Sequence, residues 1–591
     1  ESLVTYVNFP TTEYLQLPFL DFYCFNVYLE TKERLEAYLA RLQNLAGDKP
    51  LVMAEVGLDS RRNGEESQAT VLDWQIRSTF AAGCAGMFVF SWTDEWYRGG
   101  YDIEDWDFGL TTRDRTAKPA LAAVQAAFAD VPFSRGEDWP RISVVLCSYN
   151  GSATIKDTLD HLQELDYPDY EVIFVNDGST DTTEAIASQY DVRIISVENG
   201  GLSKARNLGM QAATGEIVAY IDDDAYPDRH WLLYIARTFK TTNHAGVGGP
   251  NIQPQGDGPI AECVANAPGG PIHVLISDQQ AEHVPGCNMA FRKSCLEAIG
   301  GFDHQFRVAG DDVDVCWRML EKDWTLGFSP AALVWHHRRN SIRAYWRQQV
   351  GYGKAEALLE RKWPEKYNPL GHATWSGQIY NGPSLKNLRL RRSRIYHGTW
   401  GAAPFQRLYQ PQASVLTGLH TLPEWYLCSL VLGILSAAGL IWTVLLIFLP
   451  LFILSLLIPI IQAVVCARKA TYPSVPESRR VPKRLWAITT FLHLMQPAAR
   501  LWGRFKHGLV PWRNLGWRCL RLPVKHKASL WSESWKSPEQ WLESLETAIK
   551  QQGVVVQRGG DFDSWDLKVR GGLFSSTRIR MAIEEHGGGK Q

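Results

Sequence analysis

Residues 142 to 222 alternate apolar segments with amphipathic ones, and this alternation restricts the fold more than any other feature of the chain. The apolar segments are rich in Val and Ile and predict strands at 142–147, 170–175, 192–197 and 216–221. The amphipathic segments predict helices at 153–165, 181–190 and 202–213. Strands that are buried on both faces are almost wholly apolar, so the series predicts a parallel sheet covered by helices.

Three consecutive aspartates, Asp222 to Asp224, follow the last of these strands. Ligands bind beyond the carboxyl ends of the strands in such sheets, and side chains two residues apart on an extended chain point the same way. Asp222 and Asp224 therefore present two carboxylates to one side, which suits Mg²⁺ or Mn²⁺ shared with the phosphates of a ligand. Acidic triplets are also common in solvated turns, and the triplet alone does not separate the two interpretations.

Polar residues after the other strands predict contacts with a nucleotide. Asn150 follows the first strand, and Asp177 follows the second, where it is a candidate for hydrogen bonds to a base or for a helix cap. A glycine pair precedes the helix that carries Lys204 and Arg206, and backbone amides at a helix start bind phosphate. Arg206 is equally consistent with an ordinary solvated helix charge.

Seven motifs between residues 140 and 365 resemble, in this order and spacing, a family 2 glycosyltransferase of GT-A fold. They are ISVVLCSYNG, VIFVNDGSTD, GLSKARNLG, YIDDDAYPD, GCNMAFRK, GGFD and GDDVDVCWRM. The resemblance implies transfer of a sugar, with inversion at the anomeric carbon, from a nucleoside diphosphate sugar donor to a saccharide or lipid-linked acceptor. It also implies that Asp177 contacts the base, Asp222 the ribose or the metal, and Asp224 the divalent cation.

Such a transfer needs a base for the acceptor hydroxyl and positive charge for the leaving diphosphate. Residues 310–318 resemble the Glu-Asp motif of the family, in which Asp312 aligns with the second acid and is the predicted general base. Asp311 stands where the family usually has Glu and is the second predicted catalytic residue. The cation and the helix start at Arg206 are predicted to hold the phosphate charge. An acidic helix N-terminus is also typical of ordinary capping.

Later motifs add further binding candidates. VWHHRR predicts another metal or phosphate ligand, for which we choose His336 over His337. PGCN resembles the acceptor-side loop of the family and makes Gly286 and Asn288 predicted substrate-binding residues. YWRQQVGYGKAE stands in place of the Gln-x-x-Arg-Trp motif of processive members, which favours single-sugar transfer over polymerisation.

Residues 1–130 predict a separate βα series with four strands, which is half of a (βα)₈ barrel. Its motifs VNFPTTEYL, DFYCFNVY, PLVMAEVG and GMFVFSWTDEW resemble the last four strands of a clan A glycoside hydrolase barrel. Glu55 matches the nucleophile of that family, but the acid/base Glu belongs to a strand upstream of these four. Retaining hydrolysis needs two carboxylates about 5 Å apart, so we expect no glycosidase activity from this chain. Glu55 is equally consistent with a carboxylate of a sugar-binding or relic domain.

Composition excludes several classes of protein. With 45% hydrophobic residues the chain is not disordered, and a net charge of −2 gives no field that favours nucleic acid. Ten scattered cysteines without CxxC pairs predict reduced thiols in the cytosol rather than a disulfide framework. Glu1 in place of Met predicts a natural start further upstream.

A stretch at 427–465 carries no charge over 39 residues, whereas one membrane-spanning helix needs about 20. It predicts two transmembrane helices turned near Pro450. Basic residues on both flanks place both ends, and the catalytic domain, at the cytoplasmic face of the inner (plasma) membrane. They are Lys386, Arg389, Arg391, Arg392, Arg394 and Arg407 upstream, and Arg468, Lys469, Arg479, Arg480, Lys483 and Arg484 downstream. The mixed segment after them predicts an interfacial helix or, alternatively, an amphipathic helix packed on the protein.

Together these predictions describe a multidomain α/β protein. Its parts are a half-barrel at 1–130, a linker at 131–140, a GT-A domain at 141–370, a connecting region at 371–424, two transmembrane helices at 425–467, an interfacial helix at 485–510 and a small α/β module at 529–591 that ends as a truncated module would. The predicted function is a membrane-anchored glycosyltransferase of cell-surface or exopolysaccharide synthesis. The alternatives are a glycosidase or transglycosylase that uses Glu55, and a non-catalytic polysaccharide-binding protein.

Overall fold

The computed structural model describes residues 2–368 except positions 13, 14, 16, 18 and 135, then 371–373, 375, 422–475, 481–511 and 537–551, with short segments inside 394–409 and 555–590. Most of the predicted connecting region at 371–424 and much of the predicted module at 529–591 lie outside the described residues.

The N-terminal unit is a four-stranded parallel sheet packed against helices. Its strands are β1 (Val7–Asn8), β2 (Tyr23–Asn26), β3 (Leu51–Val56) and β4 (Gly86–Val89), paired in that order and followed by a hairpin of β5 (Tyr97–Arg98) and β6 (Tyr101–Asp102). Its helices are α1 (Lys32–Ala46), α2 (Ser60–Asn63), α3 (Glu65–Ala81) and α4 (Pro119–Ala129). Leu35, Met53 and Leu72 belong to its apolar core. The four parallel strands are as predicted, while their assignment to a barrel remains a prediction.

The central domain contains twelve strands and eight helices among its described residues. The strands are β7 (Ile142–Ser148), β8 (Tyr170–Asn176), β9 (Arg193–Ser196), β10 (Ile217–Asp222), β11 (Ala225–Pro227), β12 (Gly246–Gly248), β13 (Asn251–Ile252), β14 (Val274–Leu275), β15 (Gln280–His283), β16 (Met289–Arg292), β17 (Leu326–Phe328) and β18 (Val334–His336). The helices are α5 (Ile155–Gln163), α6 (Thr183–Ala187), α7 (Leu202–Ala212), α8 (Trp231–Thr241), α9 (Pro259–Ala265), α10 (Lys293–Ala298), α11 (Asp311–Leu320) and α12 (Ile342–Lys362).

Nine of these strands form one mixed sheet in the order β14-β15-β17-β12-β16-β10-β7-β8-β9. The predicted strands β7 to β10 are parallel, and β16 runs antiparallel to β10. Ile217, Ala219 and Ile221 of β10 pack into one apolar core, and Val218 and Tyr220 pack into the core on the other face. A slip of one residue would exchange these two sets, so burial fixes the register of β10 and the position of Asp222 at its carboxyl end.

A second, three-stranded sheet in the order β11-β18-β13 lies just beyond that edge. Ala225 of β11 pairs with His336 of β18 in antiparallel register. This pairing carries the histidine motif back to the aspartates, although the two are separated by more than a hundred residues in the chain.

The uncharged stretch forms α13 (Trp425–Ala438), a 3₁₀ turn (Thr443–Ile447) and α14 (Phe448–Arg468). Among the described residues one helix, Thr443–Arg468, is long and apolar enough to cross a membrane, whereas the apolar helix α13 has 14 residues. The predicted turn near Pro450 is wrong. The chain turns at 439–442, and Pro450 lies in the first turn of α14, where its missing N–H costs no helical hydrogen bond. The multi-pass topology and the cytosolic orientation stay predictions, and Lys386, Arg389, Arg391, Arg392, Arg479 and Arg480 lie outside the described residues.

α15 (Lys483–Lys506) packs on α12 of the central domain. A Cβ atom added to Gly353 of α12 would lie 3.0 Å from the Cα atom of Gly503, so the two helices touch through glycines. Arg504 of α15 pairs with Glu356 of α12 at this crossing. These contacts favour the alternative of an amphipathic helix packed on the protein, and an interfacial location remains a prediction.

The remaining described elements are short. They are β19 (Arg394–Tyr396) paired with β20 (Arg407–Tyr409), α16 (Pro538–Lys550), a three-stranded antiparallel sheet of β21 (Val555–Arg558), β22 (Leu567–Arg570) and β23 (Ser576–Ile579), and a hairpin of β24 (Glu585–His586) and β25 (Gly589–Lys590). Ser537 and Gln540 form a capping box at the start of α16, which explains why this helix begins at Pro538.

Candidate functional site

The carboxyl edge of the central sheet gathers the predicted metal ligands. Asp222, Asp224 and His336 each offer one ligand atom, and these atoms lie within 4.8 Å of one another. Mg²⁺ prefers carboxylate oxygens, and Mn²⁺ accepts imidazole nitrogen as well. The residues present therefore fit a divalent cation. His336 belongs to this cluster and His337 does not.

Asp224 is held by two cationic or potentially cationic neighbours. Its Oδ1 lies 3.1 Å from His336 Nε2, and its Oδ2 accepts a hydrogen bond of 2.8 Å from Arg339. Burial acts to raise the pKa of Asp224, but His336 and Arg339 outweigh burial and hold that pKa below its usual range. Asp224 is therefore ionised at neutral pH, as a metal ligand must be. Arg339 was not singled out from the sequence, because nothing in the motif VWHHRR shows which arginine faces the aspartates.

Asp223, the middle aspartate, has a different role from its neighbours. Its carboxylate accepts a hydrogen bond from the Ser148 hydroxyl at the end of β7, and its backbone carbonyl accepts one of 3.2 Å from Thr158 of α5. Burial raises the pKa of Asp223 to about 7. These contacts tie the aspartate turn to β7 and α5, and they leave Asp222 and Asp224 as the pair that faces His336.

Arg206 lies at the centre of the site and is 3% exposed. Its guanidinium pairs with Asp311 at 2.5 Å and with Asp222 at 2.8 Å, and it donates a hydrogen bond of 3.1 Å to the carbonyl oxygen of Gly286. The alternative of a solvated helix charge is therefore wrong. A Cβ atom on Gly286 would lie 2.8 Å from an Arg206 nitrogen, so a larger residue there would displace the guanidinium.

We expect Arg206→Met to lower the free energy of unfolding by about 3 to 5 kcal/mol, because it leaves the buried carboxylate of Asp311 and the partly exposed one of Asp222 without their counter-charge. Urea unfolding of the purified variant and the parent measures the difference. Arg193→Met, which removes an exposed arginine from β9, is the control and is expected to change the free energy by less than about 1 kcal/mol. A double change, Arg206→Met with Asp311→Asn, is expected to recover part of the loss, and a double variant less stable than the single one would contradict this account.

The two predicted catalytic aspartates open α11 after the left-handed Gly310. Asp312 Oδ2 accepts a hydrogen bond of 3.1 Å from the Gly286 amide and lies 3.4 Å from His283 Nε2. Burial acts to raise the pKa of Asp312, but His283 and Arg206 lower it to about 2. Burial raises the pKa of Asp311 to about 6 despite its contact with Arg206. Asp312 is thus ionised at neutral pH, while Asp311 anchors Arg206.

His283 is a site residue that sequence reasoning missed. It is the last residue of β15, between Glu282 and Val284, and no motif marks it. Its Nδ1 faces the carbonyl oxygen of Ile272 at 3.1 Å, which orients the other ring nitrogen toward Asp312. Only the pairing of β14 with β15 shows that this ring reaches the site.

Several predicted substrate-binding residues organise the loops around the cleft. Both carboxylate oxygens of Asp177 accept backbone amides, from Gly200 at 2.7 Å and from Gly201 at 2.9 Å. Asp177 therefore shapes the loop before α7, and its alternative as a cap of the next helix is wrong. Asn150 has a positive φ of 58° and accepts a hydrogen bond of 2.8 Å from the Thr180 amide.

Asn288, Lys204 and Glu55 differ from the other candidates. Asn288 is fully buried, and its amide accepts from Trp231 and donates to two carbonyl oxygens, so it supports the acceptor-side loop from behind instead of meeting a substrate. Lys204 is exposed on α7. Glu55 lies in the N-terminal unit, where its carboxylate accepts a hydrogen bond of 2.7 Å from the Tyr28 hydroxyl.

His337 pairs with Asp257 instead of the metal cluster, with 2.6 Å between its Nδ1 and the carboxylate. The hydrogen bond that His337 donates to the Asp257 carboxylate raises the pKa of His337 above its ordinary value of 6.5. A raised folded-state pKa stabilises the protein below the unfolded pKa, and that stabilisation is lost as the pH rises through the folded pKa.

We therefore expect Asp257→Asn to lower Tm more at pH 6 than at pH 9. The difference should correspond to about 1 kcal/mol or less, because His337 is partly solvated. Thermal unfolding at both pH values, on this variant and on His337→Gln, measures the effect. A loss of Tm that is the same at both pH values would contradict the assignment.

Comparison with known protein families identifies the family of the central domain. Residues 143–300 match the family model described as glycosyl transferase family 2. This part of the chain is a family 2 glycosyltransferase domain. The family 2 domain carries most strands of the mixed α/β sheet and the Asp222–Asp224 turn.

Two curated relatives resemble the family 2 domain and the residues around it. The pre-mycofactocin glycosyltransferase of Mycobacterium tuberculosis is 30% identical over 281 residues, which cover 45% of this chain and 57% of that protein. The poly-beta-1,6-N-acetyl-D-glucosamine synthase of Staphylococcus epidermidis is 30% identical over 237 residues, which cover 38% of this chain and 57% of that protein. The chain thus spans little more than half the length of these relatives.

Solved structures also resemble the family 2 domain. A mannosyltransferase from Pyrobaculum calidifontis, in complex with GDP-Man and Mn²⁺, has a TM-score of 0.30 and 22% identity, over 38% of this chain and 67% of that one.

Proposed function

We propose that the protein is a membrane-anchored, inverting glycosyltransferase that moves a sugar from a nucleoside diphosphate sugar to a hydroxyl acceptor in polysaccharide synthesis. The observation that carries the proposal is that the candidate metal ligands and the predicted base are linked by contacts at one edge of the sheet. Asp222, Asp224 and His336 form a cation site. Arg206 and the Gly286 peptide connect that site to the ionised Asp312.

In this mechanism Asp312 acts as the general base. An acceptor hydroxyl attacks the anomeric carbon and passes its proton to the Asp312 carboxylate, while the bond from that carbon to the diphosphate oxygen breaks. The electron pair of that bond leaves with the nucleoside diphosphate, and attack from the opposite face inverts the anomeric configuration. The Gly286 amide and His283 hold the carboxylate in place for the proton.

The transfer also requires positive charge beside the leaving diphosphate. A divalent cation, held by Asp222, Asp224 and His336, would supply positive charge to the developing diphosphate. Arg339 contacts Asp224 from the partly solvated side of the site and offers a second cation at the same edge. Arg206 has its charge neutralised by two carboxylates and therefore positions Asp222 instead of binding phosphate.

Membrane association of the protein and a polysaccharide product are supported by two different observations. The apolar helix Thr443–Arg468 supports membrane association. The relative from Staphylococcus epidermidis is a polysaccharide synthase by name, which supports a polysaccharide product and an N-acetylglucosamine donor. The alternative that uses Glu55 needs a second carboxylate about 5 Å away, and the contact described for Glu55 is with the Tyr28 hydroxyl.

Release of nucleoside diphosphate tests the proposal. Purified protein in detergent is incubated with UDP-, GDP- and dTDP-sugars, with Mn²⁺ or with EDTA. We expect one donor to yield diphosphate only when Mn²⁺ is present, and an NMR spectrum of the product to show the opposite anomeric configuration from the donor. Failure of all donors to release diphosphate in Mn²⁺ would overturn the proposal.

A further inference from the structure

Trp375 packs on two rings that flank the predicted base. Its ring lies against His283, with 5.5 Å between ring centroids and 35° between planes. It also lies against Trp317, with 5.3 Å between centroids and 45° between planes. His283 belongs to β15 and Trp317 to α11, the helix that carries Asp312. Trp375 therefore contacts both of the elements that bring the base and its histidine together.

The contact between Asp312 and His283 depends on how α11 packs on β15. Asp312 lies in the first turn of α11 and His283 is the last residue of β15, and 3.4 Å separates the carboxylate from Nε2 of the imidazole. The other ring nitrogen of His283 faces the carbonyl oxygen of Ile272 at 3.1 Å. A shift of the helix or a turn of the ring would break the contact with Asp312.

Trp317 gives Trp375 a rigid support on the α11 side. Trp317 is buried, and its ring makes edge-to-face contacts with Trp363 at 6.0 Å and 75° and with Tyr367 at 6.2 Å and 86°. Aromatic pairs favour this arrangement, so the three rings hold one another in place. Trp375 is thus pressed between a fixed aromatic cluster and the imidazole of His283.

The backbone on the N-terminal side of Trp375 is tied down as well. Ala373 pairs with Tyr367 in an antiparallel bridge. The imidazole of His372 lies 2.8 Å from the carboxylate of Glu424, the residue that precedes the apolar helix α13. These contacts join the chain next to Trp375 to the end of α12 and to the start of α13.

A base needs this kind of support because proton transfer requires hydrogen-bonding distance. The ring of a histidine turns freely about its last side-chain bond unless neighbours restrict it. Trp375 lies against the ring of His283, which is 7% exposed. A ring held in this way keeps Nε2 directed at Asp312.

We infer that Trp375 is a positioning residue for the transfer, which packs on Trp317 and on His283 and so holds the imidazole against Asp312. Trp375 acts through His283 and not on the substrate. The inference rests on the proposed function, in which Asp312 takes the acceptor proton, and it adds a residue that none of the sequence motifs marks.

Three variants test the role of the ring. Trp375→Ala removes both ring contacts, whereas Trp375→Phe keeps an aromatic ring between His283 and Trp317. Trp92→Ala is the matched control, since it removes a tryptophan that is 61% exposed in the N-terminal unit.

Kinetics on the whole chain in detergent, with a donor that gives Mn²⁺-dependent diphosphate release in the parent, separate positioning from donor binding. We expect Trp375→Ala to lower kcat by a factor of about 10 to 10² while the donor KM changes less than about twofold, because a small displacement at a base slows the chemical step. Trp375→Phe should keep kcat within about threefold of the parent, because the ring contact is conserved in kind. Trp92→Ala should match the parent. A donor KM that rises as much as kcat falls would overturn the inference.

A double-variant cycle tests whether Trp375 acts through His283. In a His283→Ala background there is no imidazole to hold, so adding Trp375→Ala should lower kcat by less than about twofold further. Losses that multiply in the double variant would mean two independent effects and would overturn the inference.

Modification of histidine by diethyl pyrocarbonate gives a measurement that needs no catalysis. The rate at His283, followed by mass spectrometry, should rise in Trp375→Ala and stay at the parent value in Trp92→Ala. His244, which is 8% exposed, serves as the internal control and should keep its rate in both. An unchanged rate at His283, or an unchanged kcat in Trp375→Ala, would overturn this inference alone. Absence of diphosphate release from the parent with every donor would overturn the proposed function, and the inference with it.

Discussion

Replacing Asp312 with asparagine is expected to slow sugar transfer by a factor of about 10² or more while donor binding stays nearly unchanged. The carboxylate is ionised at neutral pH, and the Gly286 amide and His283 hold it at the start of α11. An amide in the same place cannot take the acceptor proton. Single-turnover rates and donor Kd values on the same preparation separate the chemical step from binding.

Asp323→Asn is the matched control for this change. Asp323 is exposed in the turn after α11, and its φ of 56° is one that asparagine adopts readily. We expect this variant to transfer sugar at the parent rate. If Asp312→Asn weakened donor binding as much as it slowed transfer, Asp312 would be a binding residue and the assignment as base would be wrong.

The Asp224→Asn variant is expected to lose Mn²⁺-dependent diphosphate release by a factor of about 10³, because the metal stabilises several kcal/mol of charge in such transfers. Asp224 is the carboxylate that both His336 and Arg339 contact, so an amide there removes a predicted metal ligand and the charge partner of Arg339. Titration of the release rate with Mn²⁺ measures the loss. Partial recovery at high Mn²⁺ is expected if the variant binds the ion weakly.

Asp228→Asn gives the corresponding control in the next turn. Its Oδ1 accepts the His230 amide at 3.0 Å, and an asparagine oxygen can accept the same hydrogen bond. We expect Asp228→Asn to keep the parent Mn²⁺ dependence. Unaltered release by Asp224→Asn, at every Mn²⁺ concentration, would remove Asp224 from the metal site.

The parts of the site at strand ends could be predicted from sequence, since a buried strand places the residue that follows it. The unbroken apolar run before Asp222 fixes the strand, and burial on both faces then fixes which aspartates point together. The helix that begins at Asp311 could be recognised in the same way, from its glycine and its acidic first turn. These are local properties of the chain.

The roles that depend on distant partners could not be predicted. Arg206 looks like a phosphate-binding residue in its own motif, yet Asp311, its closest partner, lies 105 residues away in the sequence. Asn288 lies in a motif that resembles a substrate-binding loop, but its amide accepts from Trp231 and donates both of its N–H groups to carbonyl oxygens. The turn before α14 was misplaced because Pro450 looks like a helix breaker and is instead tolerated in a first turn.

The glycine crossing of α12 and α15 fixes the position of α15 on the central domain. With no side chain between Gly353 and Gly503, and with Arg500 and Arg504 both paired to Glu356, the two backbones have little room to slide or swivel. α15 also contacts the apolar helix α14. The orientation of α14 therefore constrains that of α15 and, through the glycine crossing, that of the central domain.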